Sequence, residues 1–510
     1  MTSEHLEIER KYDAAPDLAW VDLSSLPGVG SLAEPKEKLL DATYFDTDTL
    51  ALIRAGITLR RRTGGSDAGW HLKLPAAEGA RTEFGEPLGD ESIAPATLVD
   101  RIRVYVRDHE LHPVAGIRSR RTVHKVLGAD GTVLAEAADD VVTATGRNGS
   151  GSADLTQWRE WEIELVDGPA ELIEAADELV RAAGATPSPF PSKLAQALDR
   201  RLAELPVRPE FGDLTPASAA RDVVQAHLAA QVDAIIAWEP KVRTDEYDAV
   251  HKMRVATRRL RSALATFRPI LDRTRSDPLR DELKWIATEL GGARDAEVLR
   301  ERLLASIAQE PGELVLGPIA ARVGAELRSD HRKAHAELVE AMGSTRYYRL
   351  LDALDALAAQ PPFTPEADRR ARKVLTRCVR KAYRRVAALV EAGPPADPAH
   401  RDEWYHEIRK AAKRLRYAGE SVAPAFGEPA TVLAGRAEAL QEVLGEHQDS
   451  VVARAALRDL GVRLHLGGEN AFTLGRLHAL EQVSGDAAID DFERAWAALA
   501  DPETTDWLHR

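Results

Sequence analysis

The chain has 510 residues, 44% hydrophobic but only 5% aromatic, with a formal net charge of −14 at neutral pH. Such a length expects roughly two to four domains with aliphatic cores. The acidic balance argues against a general nucleic-acid binder, which relies on net or patchy positive charge, so any anion binding must be local. The single cysteine, Cys378, excludes an internal disulfide. No run of about eighteen apolar residues suggests a membrane span, and no basic start with an apolar stretch suggests a signal peptide. The expectation is a cytoplasmic protein with no membrane or nucleic-acid partner.

Glu7, Glu9 and Lys11 open the chain as E-x-E-x-K. On a β-strand these three point to one face, two carboxylates beside one ammonium. Adjacent carboxylates repel unless a cation lies between them, and a hard divalent ion takes oxygen ligands. Alternating charge is also the pattern of a solvated edge strand, and recurrence separates the two readings. Arg60 and Arg62 share one face of the Thr58–Arg62 run, and Lys73 stands opposite Leu72 and Leu74 after Trp70 and His71. Arg118 and Arg120 alternate with Ile117 and Ser119, and Glu160, Glu162 and Glu164 alternate with Trp161, Ile163 and Leu165. Strands whose same-face charges change sign from one to the next predict a closed antiparallel sheet with a charge-lined interior. Such an interior suits a phosphate chain bound through Mg²⁺ or Mn²⁺, with arginine forks on phosphate oxygens.

Residues 1–203 resemble a CYTH domain, the triphosphate tunnel metalloenzyme fold. The matching pieces are E-x-E-x-K, the Tyr44–Thr47 run YFDT, TLRRR, WHLKLP, Ala135–Val141, the E-x-E of Glu162 and Glu164, and the Ser192–Lys193 pair. The resemblance implies an eight-stranded tunnel that hydrolyses triphosphates with Mg²⁺ or Mn²⁺. It further implies Glu7, Glu9, Glu162 and Glu164 as metal carboxylates, with Asp139 as a further acid that its neighbour Asp140 could replace. Lys11, Arg60, Arg62, Lys73 and Lys193 would grip phosphate, with Arg118 and Arg120 as further contacts, and Lys11 or Lys73 would orient the attacking water.

Within this half, helices are expected only around 94–107, 169–184 and 191–203, and the NGSGS segment at 148–152 reads as a hairpin tip. Proline and turn formers at 205–218 mark a boundary, with 204–216 as linker, before long Ala/Leu/Arg helices over 217–505. The fold class is therefore α+β, a β tunnel followed by an all-α duplicated bundle.

The helical half repeats itself. His251–Arg261 and His406–Arg416 share H-x-x-R-x-x-x-[RK]-R-L-R, and Leu290–Asp295 is echoed by Leu444–Asp449. At about 100° per residue, His251, Arg254, Arg258 and Arg261 fall within an arc of about 80°, as do His406, Arg409, Lys413 and Arg416. A solvated basic face has no reason to keep type and spacing in two copies. A third helix carries Arg372, Lys373, Arg377, Arg380, Lys381 and Arg384 at three- and four-residue steps. This half resembles the CHAD domain, which implies binding of inorganic polyphosphate at a basic surface and association with polyphosphate granules. The positions so implicated are the two stripes together with Arg377, Arg380 and Lys381; Asp295 and Asp449 are expected to orient neighbouring arginines.

The two resemblances together imply a metal-dependent inorganic triphosphatase joined to a polyphosphate-binding domain, with inorganic triphosphate and inorganic polyphosphate as partners. A non-catalytic polyphosphate scaffold, a thiamine or nucleoside triphosphatase, and an adenylate cyclase on the same tunnel remain alternatives.

Overall fold

The structure, a computed structural model, describes residues 3–65, 67–76, 80–89, 93–147, 153–205, 208–397 and 400–509. The hairpin tip expected at 148–152 lies outside the described residues. Two compact units divide the chain, Met1–Val207 and Arg208–Arg510.

The first unit is built on strands β1 (Ser3–Asp13), β2 (Val29–Leu32), β3 (Lys36–Asp46), β4 (Thr58–Thr63), β5 (Gly69–Pro75), β6 (Arg81–Glu86), β7 (His112–Gly128), β8 (Val133–Arg147), β9 (Ala153–Leu165) and β10 (Thr186–Pro187). Antiparallel pairing runs β1-β6-β5-β4-β3-β7-β8-β9 and returns to β1, closing an eight-stranded barrel. The short strands β2 and β10 attach to β7 and β1. Strand alternation then gives every residue an inside or an outside.

Outward apolar residues are covered by helices. Trp161, Ile163, Ala137 and Tyr12 pack under α4 (Ala170–Ala182), which follows the short α1 (Ala51–Arg54), α2 (Ala96–Val99) and α3 (Arg103–Val106). Leu59, Trp70, Leu72 and Phe84 pack under Leu98, Ile102 and Val106. The helix expected at 94–107 is in fact α2, a 3-10 turn over Asp100–Ile102 and α3, ending at Arg107 with φ +58°. The stretch 191–203 is likewise interrupted at Leu198, giving α5 (Lys193–Ala197) and α6 (Asp199–Ala203). Leu194 and Ala197 of α5 pack on the inward residues Ala42, Ile117, Val142 and Ala144. Around Leu39, 71% exposed, the outer face of β3, β7 and β8 stays in water.

The Tyr44–Thr47 run is a corner. Asp46, fully buried, accepts from the backbone N–H groups of Thr47, Leu52 and Ile53 at 2.7, 2.9 and 3.0 Å, satisfying donors that α1 leaves open.

The second unit is helical: α7 (Ala220–Arg243), α8 (Ala249–Thr266), α9 (Arg273–Gln309), α10 (Ile319–Met342), α11 (Thr345–Ala359), α12 (Ala371–Glu391), α13 (Arg401–Phe426), α14 (Glu428–Leu466), α15 (Phe472–Asp490), α16 (Phe492–Ala500) and α17 (Pro502–Thr505). The run α7–α10 recurs as α12–α15. Where the copies meet, Ala220 N donates to Arg369 O at 2.9 Å and Ala371 N to Ser218 O at 2.8 Å, bonds that exchange when Ala220 is superposed on Ala371. No helix among the described residues is long and apolar enough to cross a membrane.

Asp46→Ala strands three buried N–H donors and is expected to cost about 2–4 kcal/mol in urea unfolding followed by circular dichroism. A loss below about 1 kcal/mol would mean that the corner finds other acceptors.

Candidate functional site

The barrel encloses a cavity of about 260 Å³. Glu7, Glu9 and Lys11 of β1, Arg60 and Arg62 of β4, Lys73 of β5, Glu162 and Glu164 of β9 and Lys193 of α5 all line it. Register explains the convergence: Lys11 pairs with Glu162 and Glu9 with Glu164 across β1 and β9, and cross-strand partners share a face. Ser192 caps α5 by accepting from Ala195 N at 3.1 Å, which sets Lys193 at the first helical position, facing inward.

Two expectations are corrected. Arg118 and Arg120 lie on the outer, watered face of β7, where Arg118 pairs with Asp41 at 2.8 Å; the inward residues of β7 are Ile117, Ser119, Arg121 and Val123. A one-residue shift of parity carries the whole set to the other face. Asp139 also points outward, gripped by Arg159 through two bonds of 2.8 Å, and Asp140 is the inward, fully buried acid.

Every inward cation listed above meets an inward acid or hydroxyl. Lys193 contacts Glu160, Glu162 and Asp140 at 2.5, 2.7 and 3.0 Å. Arg121 holds Asp140 at 2.6 Å and also pairs with Glu162. Lys11 bridges Glu162 at 2.6 Å and Glu9 at 3.2 Å, and Lys73 contacts Glu7 at 2.5 Å. Glu83 takes His71 Nδ1 at 2.7 Å and Arg60 at 3.5 Å, while Arg60 also donates to the Tyr44 hydroxyl at 3.4 Å. Arg62 pairs with Asp67.

These contacts set the protonation states. Burial alone would raise Glu162, but Lys11, Lys193 and Arg121 hold it well below the usual range. Burial would likewise depress Lys193, yet Asp140, Glu160 and Glu162 hold it well above. Burial would raise Glu9, but Lys11 and Lys73 together bring it below its ordinary value. Glu7 goes the other way: burial and its contact with Glu83 push it up to about 8. Burial raises Glu164, with Lys73 opposing and Glu9 reinforcing. Arg62 is pushed down to about 9 by burial and by Arg60.

In the helical unit, α8 and α13 bring Arg254, Arg258, Arg409 and Lys413 into mutual reach. Burial pushes Lys413 down to about 6, helped by Arg258, Arg409 and Arg254 and opposed by Asp449. Arg258 is lowered by burial and by Arg254 and Arg409. Each copy holds one of these arginines the same way. Arg254 pairs with Asp295 at 3.2 Å and lies against Gly291; Arg409 pairs with Asp449 at 3.9 Å and lies against Gly445. His406 Nδ1 meets Gln448 Oε1 at 2.9 Å, whereas His251 is lowered by burial and by Arg294, the residue that replaces that glutamine. The two stripes are not uniform. Arg416 is taken up by Glu420 and Glu438 at 2.7 and 2.8 Å, and Arg261 faces Arg414 and Arg280. On α12, Arg377 and Arg380 line a separate cavity, and Lys381 is not part of its lining.

A CYTH domain model matches residues 5–196 and a CHAD domain model residues 226–458. The chain joins a CYTH domain to a CHAD domain. An uncharacterized protein of Mycobacterium tuberculosis is 38% identical over 510 residues, covering 98% of this chain and 97% of its own length. Human thiamine-triphosphatase is 35% identical over 91 residues, 17% of this chain and 36% of that protein. Among solved structures, PptA from Streptomyces chartreusis aligns at TM-score 0.48 and 26% identity over 55% of this chain and 99% of its own.

Two groups of acids in the CYTH tunnel can be tested for a metal. Asp140, Glu160 and Glu162 offer oxygens within 4.8 Å of one another. Lys193 contacts all three, Arg121 contacts Asp140 and Glu162, and Lys11 contacts Glu162, so three cations offset the three acids without an added ion. Glu9 and Glu164 are cross-strand neighbours, with Glu7 and Glu162 two residues along on opposite sides of the pair, and carboxylate oxygens are the donors a hard divalent cation takes, but among the described residues only Asp140, Glu160 and Glu162 bring three such oxygens within 4.8 Å of one another. Sequence reasoning missed Glu83 and Arg121. The R-T-E run of β6 shows the same alternation as the other strands, so Glu83 was open to discovery; Arg121 was hidden by its neighbour Arg120.

Lys193→Met removes the ammonium from three buried carboxylates and is expected to destabilise the CYTH domain by about 3–5 kcal/mol in urea. The unpaired acids then bind protons more readily folded than unfolded, so the deficit should shrink as pH falls below about 5; a pH-independent deficit would point to lost packing instead. In the CHAD domain, Lys413 folds with its affinity for a proton reduced from the ordinary 10.5 to about 6. Over that window the unfolded chain binds the extra proton, so this residue makes stability rise with pH. Lys413→Met should flatten that slope and raise Tm at pH 7 by about 3 °C, read by scanning calorimetry; an unchanged slope would mean that the ammonium stays charged.

Proposed function

We propose that the CYTH tunnel hydrolyses a short inorganic phosphoanhydride, with inorganic triphosphate as substrate and pyrophosphate and phosphate as products, and that the CHAD domain holds inorganic polyphosphate. The observation that carries this reading is a charge-lined cavity of about 260 Å³ within the closed sheet, in which Tyr44 is the one Phe, Tyr or Trp among the described lining residues. That volume lies at or below the small end of organic-ligand pockets, and Tyr44, whose hydroxyl accepts from Arg60 at 3.4 Å, is the single aromatic ring among the described lining residues that a base or thiazole could meet.

In the proposed reaction Arg60, Arg62, Lys73, Lys193 and Arg121 take phosphate oxygens, arginines as forks and lysines as point charges. Mg²⁺ or Mn²⁺ held by Glu7, Glu9, Glu162 and Glu164 would polarise those oxygens and offset their charge. Water forms the new P–O bond at the terminal phosphorus, the bridging P–O bond breaks with its electron pair leaving on pyrophosphate, and the proton the water gives up ends on that leaving oxygen. Lys11 and Lys73, each fixed between carboxylates, orient that water and the chain. The CHAD cluster of Arg254, Arg258, Arg409 and Lys413 supplies cationic density for a longer polyphosphate, and a chain so equipped would sediment with polyphosphate granules.

Phosphate release from inorganic triphosphate, ATP and thiamine triphosphate, each with Mg²⁺, Mn²⁺ or EDTA, tests the reading. The relation to thiamine-triphosphatase makes the last substrate a necessary arm. Expected are metal-dependent release favouring inorganic triphosphate, a fall of at least about 100-fold in Glu9→Ala and in Arg121→Ala, and no change in Arg118→Ala. Absence of turnover with any metal would leave a polyphosphate-binding protein with an inert tunnel.

A further inference from the structure

We propose that Asp67, on the turn that joins β4 to β5, is an intramolecular competitor for the tunnel's anion: its carboxylate occupies Arg62 in the free protein and swings into water when a phosphate group takes its place. The inference rests on the reading of Arg62 as a phosphate ligand, and it adds to that reading the residue that sets how tightly the anion is held.

What singles out this pair is where its acid comes from. Among Lys11, Arg60, Arg62, Lys73, Arg121 and Lys193, every cation but Arg62 takes its carboxylate partners from barrel strands: Glu7 and Glu9 of β1, Glu83 of β6, Asp140 of β8, and Glu160 and Glu162 of β9. Those acidic side chains are at most 11% exposed. Asp67 stands beyond the last paired residues of its hairpin, Arg62 and Gly69, and lines the cavity, yet its side chain is 53% exposed. A phosphate that displaces a strand acid leaves a buried carboxylate unpaired, which is strongly unfavourable. A phosphate that displaces Asp67 returns a carboxylate to water, where it stays charged and hydrated. Arg62 is thus the tunnel cation whose partner is exchanged at least cost.

The backbone that delivers Asp67 is fixed, so only the side chain has to move. Gly64 has φ +79° and a Cβ there would stand 2.1 Å from Leu39 O, while a Cβ at Gly69 would stand 2.5 Å from Glu86 O, so the turn is pressed onto neighbouring strands at both ends. His71 ties it again, with Nε2 meeting Asp67 O at 2.8 Å and Nδ1 meeting Glu83 at 2.7 Å. Arg62 reaches Asp67 through Nη2, one donor of its fork, whereas a phosphate group takes two. A solvated surface ion pair is the plain alternative, and the burial of Arg62 separates the two: its side chain is 9% exposed, so the guanidinium needs an anionic partner, which Asp67 or phosphate supplies. An ion pair with one member half in water leaves the guanidinium free in roughly one molecule in five, and an anion that needs it is weakened about fivefold.

Full-length protein is titrated calorimetrically with inorganic tripolyphosphate in EDTA, the tunnel equivalent being the one that Arg62→Gln weakens, and hydrolysis is followed separately with Mg²⁺. Asp67→Asn is expected to bind that equivalent about fivefold more tightly and to lower KM by the same factor without raising kcat. Asp67→Glu, which keeps the competing charge, is expected to stay within about twofold of wild type. Loss of a negative charge also favours anions through the general field, so Asp41→Asn, equal in charge but on the outer face, serves as the control and should change affinity by less than about 1.5-fold. The gain from Asp67→Asn should disappear in an Arg62→Gln background. A gain that survives Arg62→Gln, or no gain in a folded Asp67→Asn, overturns the competitor. If no equivalent of tripolyphosphate responds to Arg62→Gln, Arg62 is not a phosphate ligand and both readings fall. If binding responds as expected but no triphosphate is turned over, the hydrolase reading falls and the competitor stands.

Discussion

Charge buried inside a closed barrel has little water to screen it, so the most deeply buried cations must be met by acid, and this requirement sets the environment of Lys193 and Arg121. Lys193 shows the magnitudes. Burial of an ammonium costs several kcal/mol, and one carboxylate at about 4 Å returns about 4 kcal/mol at the effective dielectric of a protein. A single partner therefore roughly breaks even. Three partners, Asp140, Glu160 and Glu162, all within 3.0 Å, are decisive, and they explain why Lys193 is held well above its usual range rather than below it. The same reasoning places Arg121 between Asp140 and Glu162.

Much of the tunnel was legible because its signal has a period of two. Glu7, Glu9 and Lys11, Arg60 and Arg62, and Glu162 and Glu164 were each assigned to one face by spacing alone, and closure of the sheet turns those faces inward. Parity failed on β7 and β8 for a physical reason. The rule that apolar residues face away from the charged interior holds where a helix covers the outer face, as α4 covers Trp161 and Ile163. The outer face around Leu39 and Arg118 has no such cover. There charge faces water, and the inward wall is apolar where α5 packs against Ala42, Ile117 and Val142. Ile117 therefore marks the inside, and Arg118 and Arg120 the outside. Which face a helix will cover depends on contacts far apart in sequence, beyond the reach of local alternation.

In the helical unit the repeat was legible, and so was the pairing of its aspartates with arginines. What sequence spacing hid was how unequal the members of each stripe are. Arg416 and Arg261 sit on the same helical arcs as Arg409 and Arg254, but neighbours from other helices decide their fate: Glu420 and Glu438 neutralise Arg416, and Arg414 and Arg280 crowd Arg261. In both the L-G-G and L-G-E runs the first glycine stands beside the stripe arginine of its own copy, Gly291 beside Arg254 and Gly445 beside Arg409, at distances where a Cβ would make ordinary van der Waals contact.

On the proposed reading the two units meet the problem of attracting a polyanion to an acidic protein in opposite ways. In the tunnel, Lys11, Lys73, Lys193 and Arg121 are neutralised in advance by carboxylates, so an incoming phosphate chain competes with those acids for the same cations. A divalent ion resolves the competition: it gives Glu9 and Glu164 a new partner and frees cationic contacts for phosphate, so on the proposed reading metal and substrate belong to one binding event. In the α8–α13 cluster burial, together with repulsion from Arg258, Arg409 and Arg254, instead lowers the affinity of Lys413 for its proton. A polyanion reverses that shift, because phosphate oxygens favour the charged lysine, so binding there draws a proton from solvent and needs no metal. On that reading one unit would be governed by metal supply and the other by pH, although both would present lysine and arginine to the same kind of phosphate oxygen.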